Sequence, residues 1–313
     1  MRIARQPTVP LPPRLTRGFS LIELTLALAT TLMLTTMLFH LFHHNERVIR
    51  DQTLIIEMQQ SARVVAAQIA DEIRMAGQGV PVYAAGQDAA MAECIAVILG
   101  TSTNSRIDFR AGLSNAEAVV TGAPPLDFTL NVQRTISVSD GSVFSTVLGS
   151  SIPAGRFVYV WGSTSNSTWA WVRAELIGIG STSMTIRPRQ SSNMETTIIF
   201  TRLPTIALEE AVSLYLSAGS VRRATAADMT SPASPAWAAA NEIGKNFTSL
   251  NFTYYDKYNN VVAPTTLANR NAIARIDIQL AVQTPSVLTN GTQPGYSLAM
   301  RTTPRNLAFP SAN

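Results

Sequence analysis

The chain has 313 residues, 46% hydrophobic and 14% charged, which excludes a disordered tail and suffices for a core-forming domain of ordinary size plus an extra element. Its net charge of +4 is local: of 24 basic residues, Arg2, Arg5, Arg14 and Arg17 precede Phe19 with no acidic residue among them, and the remaining 20 match 20 acidic ones. Beyond those four there is no basic stripe of the kind that phosphate neutralisation needs, so nucleic acid is not supported as a partner.

Phe19 to Phe42 is a run of 24 residues in which Glu23 is the sole charge among apolar residues and a scatter of threonines. As a helix it covers about 36 Å, enough to cross a bilayer. The basic flank before it and Glu46, Asp51 and Glu57 after it predict a cytoplasmic N-terminus, with everything after His44 outside. All three histidines, His40, His43 and His44, close the run. Their spacing brings two or three near one helix face, as a metal site needs, or they mark where the helix meets water. With no histidine after His44, a Ser/His/Asp triad and an HExxH zinc site are excluded from the soluble part. "GSTSNST" and "GIGSTS" are small-residue turns rather than a phosphate loop or a nucleophile elbow, and neither an enzymatic activity nor a cofactor is expected.

Glu23 is the anomaly, because a carboxylate in hydrocarbon costs several kcal/mol and is normally retained only with a partner. A secretory cleavage site would carry small residues after the apolar run, and "HLFHHNERV" has none. Instead, "RGFSLIELTLALA" places a glycine before Phe19 and an acid at Glu23. This resembles the prepilin signal of type IV pilins and type II secretion pseudopilins. The resemblance implies that prepilin peptidase cuts after Gly18 and methylates the new N-terminal Phe19 in the inner membrane. It also implies an assembly role for Glu23, whose carboxylate pairs with the N-terminal amine of a neighbouring subunit.

Past the span the period stays helical: Ile55, Met58, Ala62, Val65, Ile69 and Ile73 recur at three- and four-residue steps, and no proline falls between Pro13 and Pro81. One helix is predicted from near Ser20 to about Met75, on the order of 80 Å long, ended by "MAGQGVP". Cys94 is the only cysteine, so no intramolecular disulfide is possible, and Ile95, Val97, Ile98 and Leu99 beside it favour a small buried hydrophobe. After Pro81 the pattern changes to strands. "NAIARIDIQLAVQ" puts Ala274, Ile276, Ile278, Leu280 and Val282 on one face, and Arg275, Asp277, Gln279 and Gln283 on the other. "RFVYVWG", "WAWVRAELIGI", "SMTIRP", "AVSLYLSAGSVRRA" and "LNFTYYD" read as further strands or hairpins, "DKYNN" and "NGTQPG" as turns, and Ala224 to Gly244 as a long Ala/Ser/Pro loop. Trp161, Trp169 and Trp171 form either a binding surface or the half-core, half-surface packing of alternating strands. The expected fold is of the α+β class, a long helix against mainly antiparallel sheet.

A second resemblance runs in the same order along the chain. "QQSARVVAAQIADEIRMAGQG", "AVSLYLSAGSVRRA", "FTSLNFTYYDKYNN", "ARIDIQLAVQ" and "LAMRTTPRNLAF" are similar to PilW-like minor pilins and the related J-type pseudopilins, whereas residues 81–205 carry no such likeness. Together the resemblances imply a leader at 1–18, a transmembrane helix at 19–44, its amphipathic extension at 45–80 and a periplasmic β-rich domain at 81–313. They imply a minor pilin that initiates or caps a type IV pilus, with other minor pilins and the major pilin as partners through the N-terminal helix. A J-type pseudopilin of type II secretion, or a DNA-uptake or adhesion pilin, shares every feature quoted.

Overall fold

The structure is a computed structural model that describes residues 20–82, 88–149, 151–165 and 168–304. The chain divides into two compact units, Met1–Thr53 and Leu54–Asn313, and the division falls within helix α1 (Leu21–Arg74). Neither glycine nor proline occurs between Phe19 and Ala76, so nothing interrupts α1, and its observed ends match the predicted ones to a residue. Gly77 and Gly79 stop it at φ of 84° and 74°, a region that side chains resist. The Gly77 N–H then donates to the Arg110 carbonyl at 2.8 Å, tying the helix end to the first strand.

After α1 comes a short 3₁₀ helix (Ala89–Cys94), then β1 (Arg106–Arg110), β2 (Glu117–Thr121), β3 (Leu126–Thr129), β4 (Arg134–Val138) and α2 (Ser142–Leu148). Next are β5 (Phe157–Ser163), β6 (Trp169–Ile179), β7 (Ser183–Ser191), β8 (Thr197–Phe200) and β9 (Thr205–Leu208). The chain continues through β10 (Ala211–Ser217), β11 (Ser220–Asp228), β12 (Ala236–Trp237), β13 (Asn241–Gly244) and β14 (Phe247–Asp256). It ends with α3 (Leu267–Ala272), β15 (Ile273–Gln283) and β16 (Gly295–Thr302). Every strand pairing is antiparallel, and the fold is α+β.

Two sheets close on the second half of α1. One runs β1-β10-β11-β12, with β13 also paired to β11; the other is β14-β15-β16. Met58, Ala62, Val65, Ala66, Ile69, Ala70 and Ile73 are buried at helical spacing, and Ile55 is half-buried at the start of the same stripe. They share one core with Phe109 of β1, Leu214 of β10, Val221 of β11 and the inward residues of β14 and β15. In that last sheet Phe252 stands opposite Ile278 and Leu250 opposite Leu280, so apolar pairs present a continuous face to the helix. Each fully buried Val, Ile or Met of the stripe contributes about 1.5–3 kcal/mol. At the rim Arg223 Nε donates to both carboxylate oxygens of Glu72, at 2.8 and 2.9 Å.

Residues 117–208 do something else. Strands β2-β4-β7-β6-β5-β9 form a closed barrel, filled by Val120, Ile136, Val158, Val160, Val172, Leu176, Met184, Ile186 and Ile206, with Phe144 of α2 in the same core. Closure leaves no free strand edge on the barrel. The two-stranded β3-β8 ribbon adds Phe128 and Phe200, packed edge to face at 5.4 Å. This barrel is looped out of the first sheet, because Arg110 at the end of β1 sits opposite Ala211 at the start of β10.

Two expectations change. Ala224–Gly244 is not one loop: its first residues complete β11, while Ala236–Trp237 and Asn241–Gly244 pair along β11. The edge of β11 has amide groups to satisfy, and Trp237 has an apolar seat beside Ala226 and Met229, so local Ala/Ser/Pro chemistry is overridden. Ala274 is half-buried and Ile273 takes its inward place, because the ladder shifts register where Tyr255 and Asp256 face Arg275 and Ile273. The strands after Pro81 divide into two sheets, a barrel and a two-stranded ribbon, a division that alternation does not reveal because it identifies strands but not their partners.

Burial along α1 sets a stability pattern. Ile69→Ala and Ile73→Ala are each expected to lower the unfolding free energy by about 2–5 kcal/mol, and Val64→Ala on the exposed face by under about 0.5 kcal/mol. Urea unfolding of the chain begun at Asn45 checks this; equal losses at Ile69 and Val64 would contradict the assignment of faces.

Candidate functional site

Every residue from Ser20 to Arg50 is exposed, although this stretch holds most of the large exposed apolar side chains among the described residues. Its best 18-residue window has a mean hydropathy of 1.8 and no burial, so α1 is long and apolar enough to span a membrane. The threonines do not spoil that surface. Thr30, Thr31, Thr35 and Thr36 each donate a hydroxyl to a carbonyl one turn back at 2.7–3.0 Å, and Thr25 donates to the Ile22 carbonyl, so their donors are satisfied inside the helix. No water or neighbouring side chain is needed for them.

Glu23 lies in the first turn of α1, and its Oε2 accepts a weak hydrogen bond of 3.4 Å from the Ser20 N–H. An acid at a helix N-terminus is favoured by the helix dipole and by the unsatisfied amides of the first turn. Its carboxylate is otherwise open to a second group. Gly18 and Phe19 lie outside the described residues. His40, His43 and His44 are exposed at the end of the apolar run, with His43 Nδ1 3.6 Å from Glu46 Oε2. Among the described residues no three His, Cys, Asp or Glu side chains group as a metal would require.

Trp161, Trp169 and Trp171 occupy the outer face of the barrel in three degrees of burial. Trp171 is wholly buried, Trp161 opposite it is half-buried, and Trp169 at the strand end is 52% exposed. Trp171 packs with Val80, Cys94, Ile95 and Tyr159, and the Tyr159 and Trp171 rings meet edge to face. The triplet is therefore mainly a packing ladder, with Trp169 as its exposed end. Burial foremost pushes the Cys94 thiol up, against the pull of Arg173 and Arg110, so Cys94 stays a protonated hydrophobe.

Next to this ladder is a buried ionic cluster that sequence reasoning missed. Glu209, just after β9, accepts from Arg110 Nε at 2.9 Å and from Arg173 Nε at 2.6 Å, one on each carboxylate oxygen. All three side chains are essentially inaccessible to solvent. Tyr159 Oη is 2.9 Å from Glu209 Oε1 and also reaches the Cys94 carbonyl. Two cations share one carboxylate here, and the excess positive charge is taken up by carbonyls: Arg110 also donates to Ala96 and Pro232, and Arg173 to Met229. Arg173 Nη1 donates to Gln190 at 2.8 Å, and its guanidinium lies 3.9 Å from the Phe157 ring centroid. Burial first of all pushes the Tyr159 phenol well above its ordinary value, so it remains a neutral donor. The cluster joins β1, the barrel strands β5 and β6, and the segment after β11. With its polar groups committed to protein and shut off from solvent, it holds the barrel on the first sheet rather than presenting a reactive group. Its traces in the sequence are charges inside apolar runs, Arg173 in "WAWVRAELI" and Glu209 in "TIALEEAV".

No protein-family model matches the chain, and no curated protein matches it. Among solved structures the chain is similar to a type IV-like pilin from Thermus thermophilus, with 10% identity and a TM-score of 0.24 over 54% of this chain and 94% of that one. A likeness that slight carries no argument about function.

Removing the carboxylate from the cluster leaves two buried guanidinium groups facing each other. Glu209→Gln is expected to destabilise the folded chain by about 3–5 kcal/mol, and Trp169→Ala by under about 0.5 kcal/mol. Urea unfolding followed by tryptophan fluorescence gives both numbers, and a near-neutral Glu209→Gln would show that the cluster does not hold the barrel.

Proposed function

We propose that the chain is a type IV minor pilin whose assembly is controlled by the first turn of α1. The observation that carries this reading is the conjunction in that segment: an exposed apolar helix, a single acid in its first turn, and "RGF" immediately before it. Exposed leucines, methionines and phenylalanines over some eight turns are stable only in lipid or against other apolar helices. Arg14 and Arg17 hold the preceding segment on the cytoplasmic side, and the chain after His44 is periplasmic.

In this reading prepilin peptidase cleaves after Gly18 and methylates Phe19, leaving an ammonium at the end of an apolar helix. Neither that ammonium nor the Glu23 carboxylate is comfortable in hydrocarbon alone. Brought together from adjacent subunits, they neutralise each other, and the pairing fixes the axial register of one helix against the next. The helix thus enters lipid at moderate cost and leaves it only for a correctly placed neighbour. The stretches similar to PilW-like minor pilins support a place in the group that initiates or caps the filament, and the J-type pseudopilins that share them are the second reading.

The test is removal of the acid. Glu23→Ala should leave synthesis, insertion and the Leu54–Asn313 fold intact while co-purification with partner pilins falls more than a hundredfold, the equivalent of about 3 kcal/mol or more. Glu23→Gln should be nearly as defective, because an amide accepts a hydrogen bond without neutralising an ammonium. Filament counts in cells lacking the wild-type copy provide the second readout. Wild-type co-purification and piliation in Glu23→Ala would overturn the proposal, and loss of protein secretion with pili intact would assign the chain to a secretion machine.

A further inference from the structure

The sheet β14-β15-β16 ends on a strand whose outer edge pairs with nothing among the described residues. One bond just beyond the ladder fixes which backbone groups that edge presents. The Thr284 N–H donates to the Pro294 carbonyl at 3.1 Å, and the register continues without a shift from Gln283 opposite Gly295 to Ile276 opposite Thr302. Hydrogen-bonded pairs in an antiparallel ladder fall at every second residue, so Tyr296, Leu298, Met300 and Thr302 commit their N–H and C=O groups to β15. Gly295, Ser297, Ala299 and Arg301 point theirs away from the sheet.

Other edges are closed, covered or short. The barrel has none; β1 is flanked by residues 97–103, whose Leu99 N–H donates to the Asp108 carbonyl and whose Val97 carbonyl accepts from Arg110; and the Phe252 N–H of β14 donates to the Asn104 carbonyl. The strands β12 and β13 have two and four residues. By contrast β16 has eight residues, no bulge, and neither Lys nor Pro, the usual devices by which an edge refuses a partner. Its two faces differ. Tyr296, Leu298 and Met300 are half-buried at the rim of the core that α1 shares with the sheets, whereas Ser297, Ala299 and Arg301 are exposed on the other face. Arg301 is the strand's one charge, and it has no carboxylate of its own: its Nε lies 3.3 Å from Asp277 Oδ1, the oxygen that also takes Arg275 Nε at 3.1 Å. Two guanidinium groups on one carboxylate oxygen leave surplus positive charge beside the open edge.

We propose that β16 receives an extended strand of a different polypeptide, added antiparallel to its outer edge, with apolar side chains continuing the row of Tyr296, Leu298 and Met300 and a carboxylate opposite Arg301. Main-chain bonds to Ser297, Ala299 and Arg301 supply the affinity, and the alternation and the acid supply the selectivity. A second copy of β16 fits less well, because it brings another arginine and no acid. The surface lies wholly within the Leu54–Asn313 unit and does not rest on the reading of Glu23.

The experiment is calorimetric titration of the full-length protein in detergent with the peptide acetyl-TVEVTVT-amide, which is expected to bind. N-methylation of the threonine that follows the middle valine, whose N–H faces β16, should weaken binding at least tenfold, and N-methylation of the middle valine, whose N–H faces away, should change it little. Ala299→Pro removes an outward N–H without touching the β15 ladder and should also cost at least tenfold, with a thermal melt to show that the variant folds. Arg301→Glu should reverse the preference between this peptide and acetyl-TVKVTVT-amide. No binding at millimolar peptide, equal weakening by the two N-methyl groups, or undiminished binding by folded Ala299→Pro would overturn the proposal. So would a dimer of the chain that Ala299→Pro dissolves, which makes a second copy the occupant, or binding seen only after residues 305–313 are removed, which makes the chain's own end the occupant.

Discussion

The unit Leu54–Asn313 depends on one interaction, the burial of the α1 stripe from Met58 to Ile73 between two antiparallel sheets. Without the helix, the apolar faces of β1-β10-β11 and β14-β15-β16 have nothing to cover them, and small open sheets with an uncovered apolar face are poorly stable in water. The alanines among the stripe, Ala62, Ala66 and Ala70, let the sheets come close to the helix backbone, and Thr302 of β16 reaches the Ala70 carbonyl at 3.3 Å. Packing of this kind fixes the helix rotation as well as its position, because a turn of one residue would exchange Ile69 and Ile73 for Gln68 and Glu72.

Charge is handled in opposite ways at two places in the chain. Around Glu209 it is buried and fully paired within the fold, so two arginines, a carboxylate and three carbonyls act as a rivet between barrel and sheet. Breaking one partner of such a group is costly even where the intact group adds little net stability. Glu23 has only a long hydrogen bond from its own first turn. The folding device is closed, whereas Glu23, in the proposed reading, stays open until a neighbour arrives.

Much of this was legible in the residues. The 3.6-residue spacing of Ile55 through Ile73 gave the helix and its buried face, the absence of proline gave its length, and strict alternation gave all of β15 beyond its first two residues. What sequence pattern leaves open is pairing. Nothing in "EAVVT" or "TIAL" says that β2 and β9 meet to close a barrel, and nothing near Arg110 says that its partner is 99 residues away. The strands β12 and β13 were hidden for another reason: tertiary edge pairing overrode residues whose local preference is for loops. Within the candidate site, Glu23 was conspicuous because a lone charge in an apolar run has a large cost, while the Glu209 cluster was hidden because only the fold reveals which charges meet.

The central proposal is that the helix begins its working life at Phe19, with an amine available to a neighbour's Glu23. Intact-mass and N-terminal fragment analysis of the protein purified from its membrane measures this directly. The expected species starts at N-methylated Phe19 and lacks residues 1–18. An N-terminus at Met1, or one beyond His44, would contradict it.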